Sequence, residues 1–180
     1  MILVRCFTSL LVLLFLIFPK QNAVAQTTSI YGSIGLVNYG VGSFSKGDTG
    51  GLIGGGFYNF PIESRLTAGI DVRGSFGVGS GGGGLGAAAL RIGFVPERVP
   101  LRPYFQLGGG VVTTTLQNGQ SVRHTSGGVE FAGGLDIRLN DSFDLRAVEL
   151  GAIAGGNQSA GSAFLDGGIV YHLHRLGPKH

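Results

Sequence analysis

The chain contains a single cysteine, Cys6, and three lysines, Lys20, Lys46 and Lys179, in 180 residues. Cys6 sits near the N-terminus, inside the segment read below as an export signal. The remainder therefore has no thiol, and disulfides, thiol catalysis and cysteine-ligated metals are excluded together. The lysine shortage excludes something different. A sheet face turned to water ordinarily carries long charged side chains, lysine above all, and here the supply is missing. Charge of one sign is lacking as well. From Gln26 onward 11 basic residues stand against 10 acidic ones, a balance that gives a nucleic-acid partner no support. Long apolar runs are also absent. The one from Cys6 to Phe18 is well short of the roughly 20 residues a membrane helix requires.

What is present at the N-terminus has the order of a secretory signal. A short basic region, Met1 to Arg5, is followed by the apolar run, a break at Pro19-Lys20 and the small triplet Ala23-Val24-Ala25. Cleavage is expected before Gln26, so residues 1–25 form the signal and the rest makes one domain. A lipoprotein signal would need its cysteine after the apolar run, and Cys6 lies ahead of most of it.

Beyond the signal the dominant period is two, the spacing at which successive side chains of a strand point to opposite faces. Leu66, Ala68, Ile70 and Val72 alternate with Arg65, Thr67, Asp71, Arg73 and Ser75. Val129, Phe131, Leu135, Ile137 and Leu139 oppose Glu130, Asp136 and Arg138 in the same way. Extended along the chain, this pattern predicts eight strands: 29–40, 50–58, 64–76, 85–95, 102–115, 127–139, 143–154 and 162–173. Each has about the length of a tilted membrane strand or slightly more. The intervals predict long loops at 41–49, 77–84, 116–126 and 155–161, alternating with tight turns at 59–63, 96–101 and 140–142. The expected fold class is therefore all-β: an eight-stranded antiparallel up-and-down transmembrane β-barrel over residues 26–174, preceded by a cleaved signal peptide and followed by a short polar tail at 175–180. One strand breaks the period, because Arg146 and Glu149 are three apart. A β-bulge between them would put both on one face.

Alternation alone does not separate a membrane barrel from a soluble lipocalin-like carrier, whose apolar face would turn inward. The polar face separates them. It carries small residues and sparse charges of both signs: Arg65, Asp71, Arg73, Arg91, Glu130, Asp136, Arg138, Arg146, Glu149 and Asp166. Eight strands enclose a space just wide enough for side chains to fill, so these ten are expected to form a structural charge network in the lumen. The 35 glycines of the chain suit such a crowded interior. A small-solute channel is the rival reading of the same set. Aromatic residues near predicted strand ends, Tyr39 and Phe76 at one end and Phe57, Tyr58, Phe94, Tyr104, Phe105, Phe143 and Tyr171 at the other, are expected to form interfacial girdles.

The segment Arg102-Pro103-Tyr104-Phe105-Gln106-Leu107-Gly108-Gly109-Gly110 and the closing stretch Gly167-Gly168-Ile169-Val170-Tyr171-His172-Leu173 resemble strands of the OmpA/OmpX-type small outer-membrane barrels. That resemblance covers nearly all of the chain after the signal. It implies residence in the outer membrane of a Gram-negative-type bacterium, contact with membrane lipids and lipopolysaccharide, and insertion by the outer-membrane assembly machinery. Four other patterns carry less. Gly77-Val78-Gly79-Ser80-Gly81-Gly82 satisfies GxGxxG but has no βαβ unit around it, so it reads as a loop. Asn157-Gln158-Ser159 reads as a polar loop. His172 and His174 share a face but make too small a donor set for a metal. His124-Thr125-Ser126 with Glu130 has the residue types of a lipid A deacylase, a histidine to take the serine proton and a carboxylate to orient it, but lacks that family's longer motif. The expectation is a non-enzymatic barrel without cofactor, catalytic site or metal, acting structurally or through extracellular loops that present themselves to outside partners.

Overall fold

The structure, a computed structural model, describes residues 27–41, 48–78, 83–96, 99–117, 121–155 and 160–173. Eight strands follow one another: β1 (Thr27–Val41), β2 (Asp48–Pro61), β3 (Leu66–Val78), β4 (Gly83–Phe94), β5 (Leu101–Gln117), β6 (Ser121–Arg138), β7 (Phe143–Gly155) and β8 (Ala160–Leu173). Each pairs antiparallel with its neighbours in sequence, and β8 pairs with β1 to close the barrel. Residues 1–25, expected to be a signal, and the tail expected at 175–180 lie outside the described residues.

The register gives the barrel its shape. Following partners from Thr28 through Tyr58, Ile70, Leu90, Leu107, Phe131, Ala152 and Ala163 leads back to β1 at Asn38, ten residues beyond the start. With a rise of about 3.3 Å per residue and strands about 4.8 Å apart, that stagger tilts the strands by about 40°. Closure leaves the wall no free edge where all eight strands pair.

The period-two pattern sorts side chains as the charge argument requires. Ile70 and Phe131 face outward, while Arg73 and Asp136 are 3% and 2% exposed inside. The lipocalin-like alternative needs the reverse. Ile34 and Leu90, 69% and 66% exposed, typify an outer wall that no water-soluble fold would leave bare over its whole girth. In β7 the pairing shifts between Arg146 and Glu149. Ala147 and Val148 both face out, so the bulge returns Glu149 to the lumen beside Arg146.

At the end where β1 starts and β8 finishes, the connections are tight. The β2–β3 turn is closed by Ile62 N–H donating to Leu66 O at 2.8 Å. In the β6–β7 turn, Asn140 Oδ1 accepts from the amides of Ser142 and Phe143 at 2.8 and 2.9 Å, an Asx turn that reverses the chain without glycine. The other end departs from expectation. The strands run on into the predicted loops, most of all β5 and β6, and leave intervals of only 42–47, 79–82, 118–120 and 156–159. The predicted alternation of long loops and short turns does not hold. Thr, Ser and Gln continue a ribbon as readily as they form a loop, and 113–117 and 121–126 contain no glycine or proline to break strand pairing.

Candidate functional site in the barrel lumen

Inward-facing residues form three layers along the axis. At the mouth on the turn end, Arg102 donates to Asp144 Oδ2 at 2.8 Å. His172 Nε2 lies 2.9 Å from the same oxygen, and His172 Nδ1 meets Ser29 Oγ at 2.8 Å. This chain ties β5, β7, β8 and β1 together across the closing seam.

The middle layer is a network of charges. Arg73 from β3 reaches Asp71 at 3.2 Å, Glu130 at 3.3 Å, and the side chains of Glu149 and Gln106. Arg146 bridges Asp136 at 3.2 Å and Glu149 at 2.7 Å, and Arg91 donates to Asp136 at 2.8 Å. Tyr31 and Tyr104 donate their hydroxyls to Asp71 and Glu149. Aromatic faces cover the guanidinium planes. Arg91 lies 3.5 Å from the ring centre of Tyr104 and 4.1 Å from that of Phe57, and Arg146 lies 4.1 Å from that of Tyr31. Such stacking favours arginine over lysine, since a planar delocalised cation can hydrogen-bond at its edge while its face rests on a ring.

The far layer is apolar. Val37, Ile53, Leu85, Val112, Ile153 and Phe164 are buried together inside the wall, with Tyr39, bonded to Ser75 at 2.8 Å, and buried Ser162 as polar exceptions. The Phe164 ring lies over Gly151, as the Tyr104 ring lies over Gly134. In both cases an inward glycine makes room for an aromatic from another strand, because any β-carbon there would collide with the ring.

Of the ten charges expected in the lumen, eight lie there, at Asp71, Arg73, Arg91, Glu130, Asp136, Arg146, Glu149 and Asp166. Two do not. Arg65 is exposed in the β2–β3 turn, and Arg138, at the end of β6, pairs with exposed Asp141 in the next turn. Both are at strand ends, where the phase that points inward further along already opens to solvent. The girdle expectation also needs correcting. Tyr58, Phe76, Phe94, Phe105 and Phe143 face out, whereas Tyr39, Phe57 and Tyr104 are buried in the lumen. Sequence reading missed the lumen roles of Tyr31, Arg102, Gln106 and Asp144, although each shares its strand's inward phase, Asp144 with Arg146 and Gln106 with Tyr104.

Most residues of the weaker motifs fall outside the described ones. Residues 79–82 and 156–159, and His174, lie outside the described residues, as does the side chain of His124. Ser126 is near the β6 tip, while Glu130 is fully buried and faces Arg73. Among the described residues no group of three histidines or carboxylates is close enough to hold a metal.

Comparison with solved structures follows from this geometry. The N-terminal β-barrel domain of OprF from Pseudomonas aeruginosa superimposes with a TM-score of 0.59 at 15% identity, covering 83% of this chain and all of that one. Ail, the attachment invasion locus protein of Yersinia pestis, gives 0.61 at 13% identity, covering 82% and 97%. The fold is that of the small eight-stranded outer-membrane barrels. Neisserial surface protein A matches likewise, with a TM-score of 0.56 at 16% identity over 84% of this chain and 99% of its own. No family model matches the sequence, and no curated protein is similar to it at a significant level. The likeness to this barrel class thus resides in the backbone fold.

Proposed function

We propose that the chain is an exported, non-enzymatic outer-membrane barrel that serves the envelope as a closed, rigid wall element and offers its β5–β6 ribbon to a partner outside the cell. The observation that carries the reading is the pairing of an apolar exterior with a filled lumen: lipid can solvate the first, and the second leaves no path for solutes. Eight-stranded barrels of this size are filled by side chains rather than by water. The ribbon supports the interaction role. β4 pairs with β5 only as far as Thr114, and β7 pairs with β6 only from Gly128. Residues 121–127 therefore pair on one side alone among the described residues, and such an edge can accept a partner's extended strand. Ail, which has this fold, is the attachment invasion locus protein of its organism.

Cell fractionation with heat-modifiable gel mobility tests the location, since a folded membrane barrel resists detergent and a soluble carrier stays in solution without it. Replacing residues 114–125 with a two-residue turn tests the role. Surface binding should disappear while the heat-modifiable band persists, and unchanged binding would sink the ribbon reading. The narrow-pore alternative predicts steady conductance across a planar bilayer, and none is expected here.

A further inference from the structure

The charge count of the sealed lumen does not close. Five carboxylates, Asp71, Glu130, Asp136, Glu149 and Asp166, are buried in the middle layer with three guanidinium groups, those of Arg73, Arg91 and Arg146. Arg102 offers no relief, because it is paired with Asp144 at the mouth. Four of the five carboxylates each lie within 4.0 Å of a guanidinium nitrogen. Asp166 is different. It is 5% exposed, and among the described residues neither of its oxygens has a hydrogen-bond or ion-pair partner.

Its surroundings make this more than a missing contact. In the register of the sheet Asp166 stands between Gly35 of β1 and Glu149 of β7. The glycine brings no side chain, and Glu149 brings a charge of the same sign that Arg73, Arg146 and Tyr104 already hold. The charged groups that act on Asp166 are Glu149 and Arg146 from β7 and Arg73 from β3, with the Ser33 hydroxyl from β1 standing near. That hydroxyl, 4% exposed, also lacks a hydrogen bond of normal geometry. Above Asp166 on the same strand Phe164 belongs to the apolar layer, and below it the guanidinium network fills the bore. An anion in such a place is not stable alone, and a buried carboxylate acquires a positive partner or loses its charge.

We propose that the lumen binds one monovalent cation at Asp166, with both carboxylate oxygens and the Ser33 hydroxyl as its oxygen donors. The positive charge is carried by a proton or by an alkali-metal ion. A divalent metal is disfavoured, because among the described residues no group of three histidines or carboxylates is close enough to hold one. The inference goes beyond the surface role and does not depend on it, since it concerns only how the charge of Asp166 is compensated inside the barrel.

The test uses the purified barrel refolded into phosphatidylcholine vesicles. Its urea midpoint is measured in sodium, potassium and choline chloride at equal ionic strength, and its infrared spectrum at neutral pH is recorded for a carboxylic-acid C=O band. An alkali ion at the site predicts a lower midpoint in choline and no cation dependence in Asp166→Asn. A proton there predicts no cation dependence and an acid band that Asp166→Asn removes. Ser33→Ala provides a second variant that leaves every charge in place: it should raise the sodium concentration needed for half of the stabilisation several-fold, or move the acid band. A wild-type barrel with neither cation dependence nor an acid band overturns the proposal, as does either signal surviving unchanged in Asp166→Asn.

Discussion

The middle and far layers of the lumen fill the same bore in opposite ways. In the middle, three guanidinium groups organise carboxylates, phenols and an amide so that each arginine contacts several strands: Arg73 on β3 reaches β5, β6 and β7. In the far layer, Val37, Ile53, Leu85, Val112, Ile153 and Phe164 meet only by shape. Directional bonds fix the register of strands that are distant in sequence, whereas apolar packing excludes water and tolerates exchange of one aliphatic side chain for another. The wall is thus specified where charges lie and packed by apolar side chains where they do not. A closed lumen needs both, because a charged layer open to water at one face would lose much of the electrostatic strength that burial gives it.

The comparison is broken most forcefully from the charged side. Arg146→Ala removes one partner of Asp136 and one of Glu149 at once and leaves Arg73 and Arg91 to serve all the carboxylates. Removing one member of a buried ion network costs about 3–5 kcal/mol. A large drop in the urea midpoint of the refolded barrel is therefore expected, with loss of heat-modifiable mobility in the extreme. A loss below about 1 kcal/mol would mean that water already solvates the middle layer, and the distinction between the layers would collapse.

From the apolar side the expected effect is somewhat smaller. Phe164→Ala empties the space over Gly151 and removes the ring that lies 5.5 Å from the Arg73 guanidinium. Large-to-small changes of this kind cost about 3 kcal/mol. Conductance in a planar bilayer should remain absent, since the charged layer below still fills the bore. Current through the Phe164→Ala barrel would show that the far layer alone is the seal.

A two-residue experiment sharpens the same point. Gly151→Ala puts a methyl group where the Phe164 ring and the Ala132 side chain now sit, and overpacking costs about 1–3 kcal/mol. Phe164→Leu, which shortens the intruding side chain, should restore most of that loss when combined with it. The coupling is read as non-additivity of the two urea midpoints. Additive effects would mean that the ring does not depend on the glycine beneath it.

The two layers were unequally legible in the sequence. Arg73, Arg91, Glu130, Asp136 and Asp166 could be placed because a charge on one phase of an otherwise apolar strand has only the lumen to occupy. Ile153 and Phe164 could not, because an aliphatic or aromatic residue on either phase is consistent with lipid outside or packing inside, and period two does not say which. The same ambiguity misplaced Tyr39, Phe57 and Tyr104, rings that cover polar groups within the barrel instead of marking its interfaces. The bulge at Ala147-Val148 was legible because without it either Arg146 or Glu149 would have to face lipid. The length of the β5–β6 ribbon was not, since threonine and serine carry no signal that distinguishes a strand above the membrane from a loop.

Arg138 supplies the smallest expected effect and bounds the charged layer. It was assigned to the lumen on its phase in β6, yet its guanidinium is half exposed and pairs with Asp141 three residues later, whose side chain is almost wholly in solvent. Exposed pairs of this kind contribute under about 0.5 kcal/mol, and salt screens them. Arg138→Ala should therefore leave the urea midpoint within error of the parent and be indifferent to ionic strength, although the residue is only two positions from Asp136, which receives Arg91 and Arg146. A loss comparable to that of Arg146→Ala would mean that the network extends past the end of β6 into the turn, and the boundary of the charged layer would have to move outward with it.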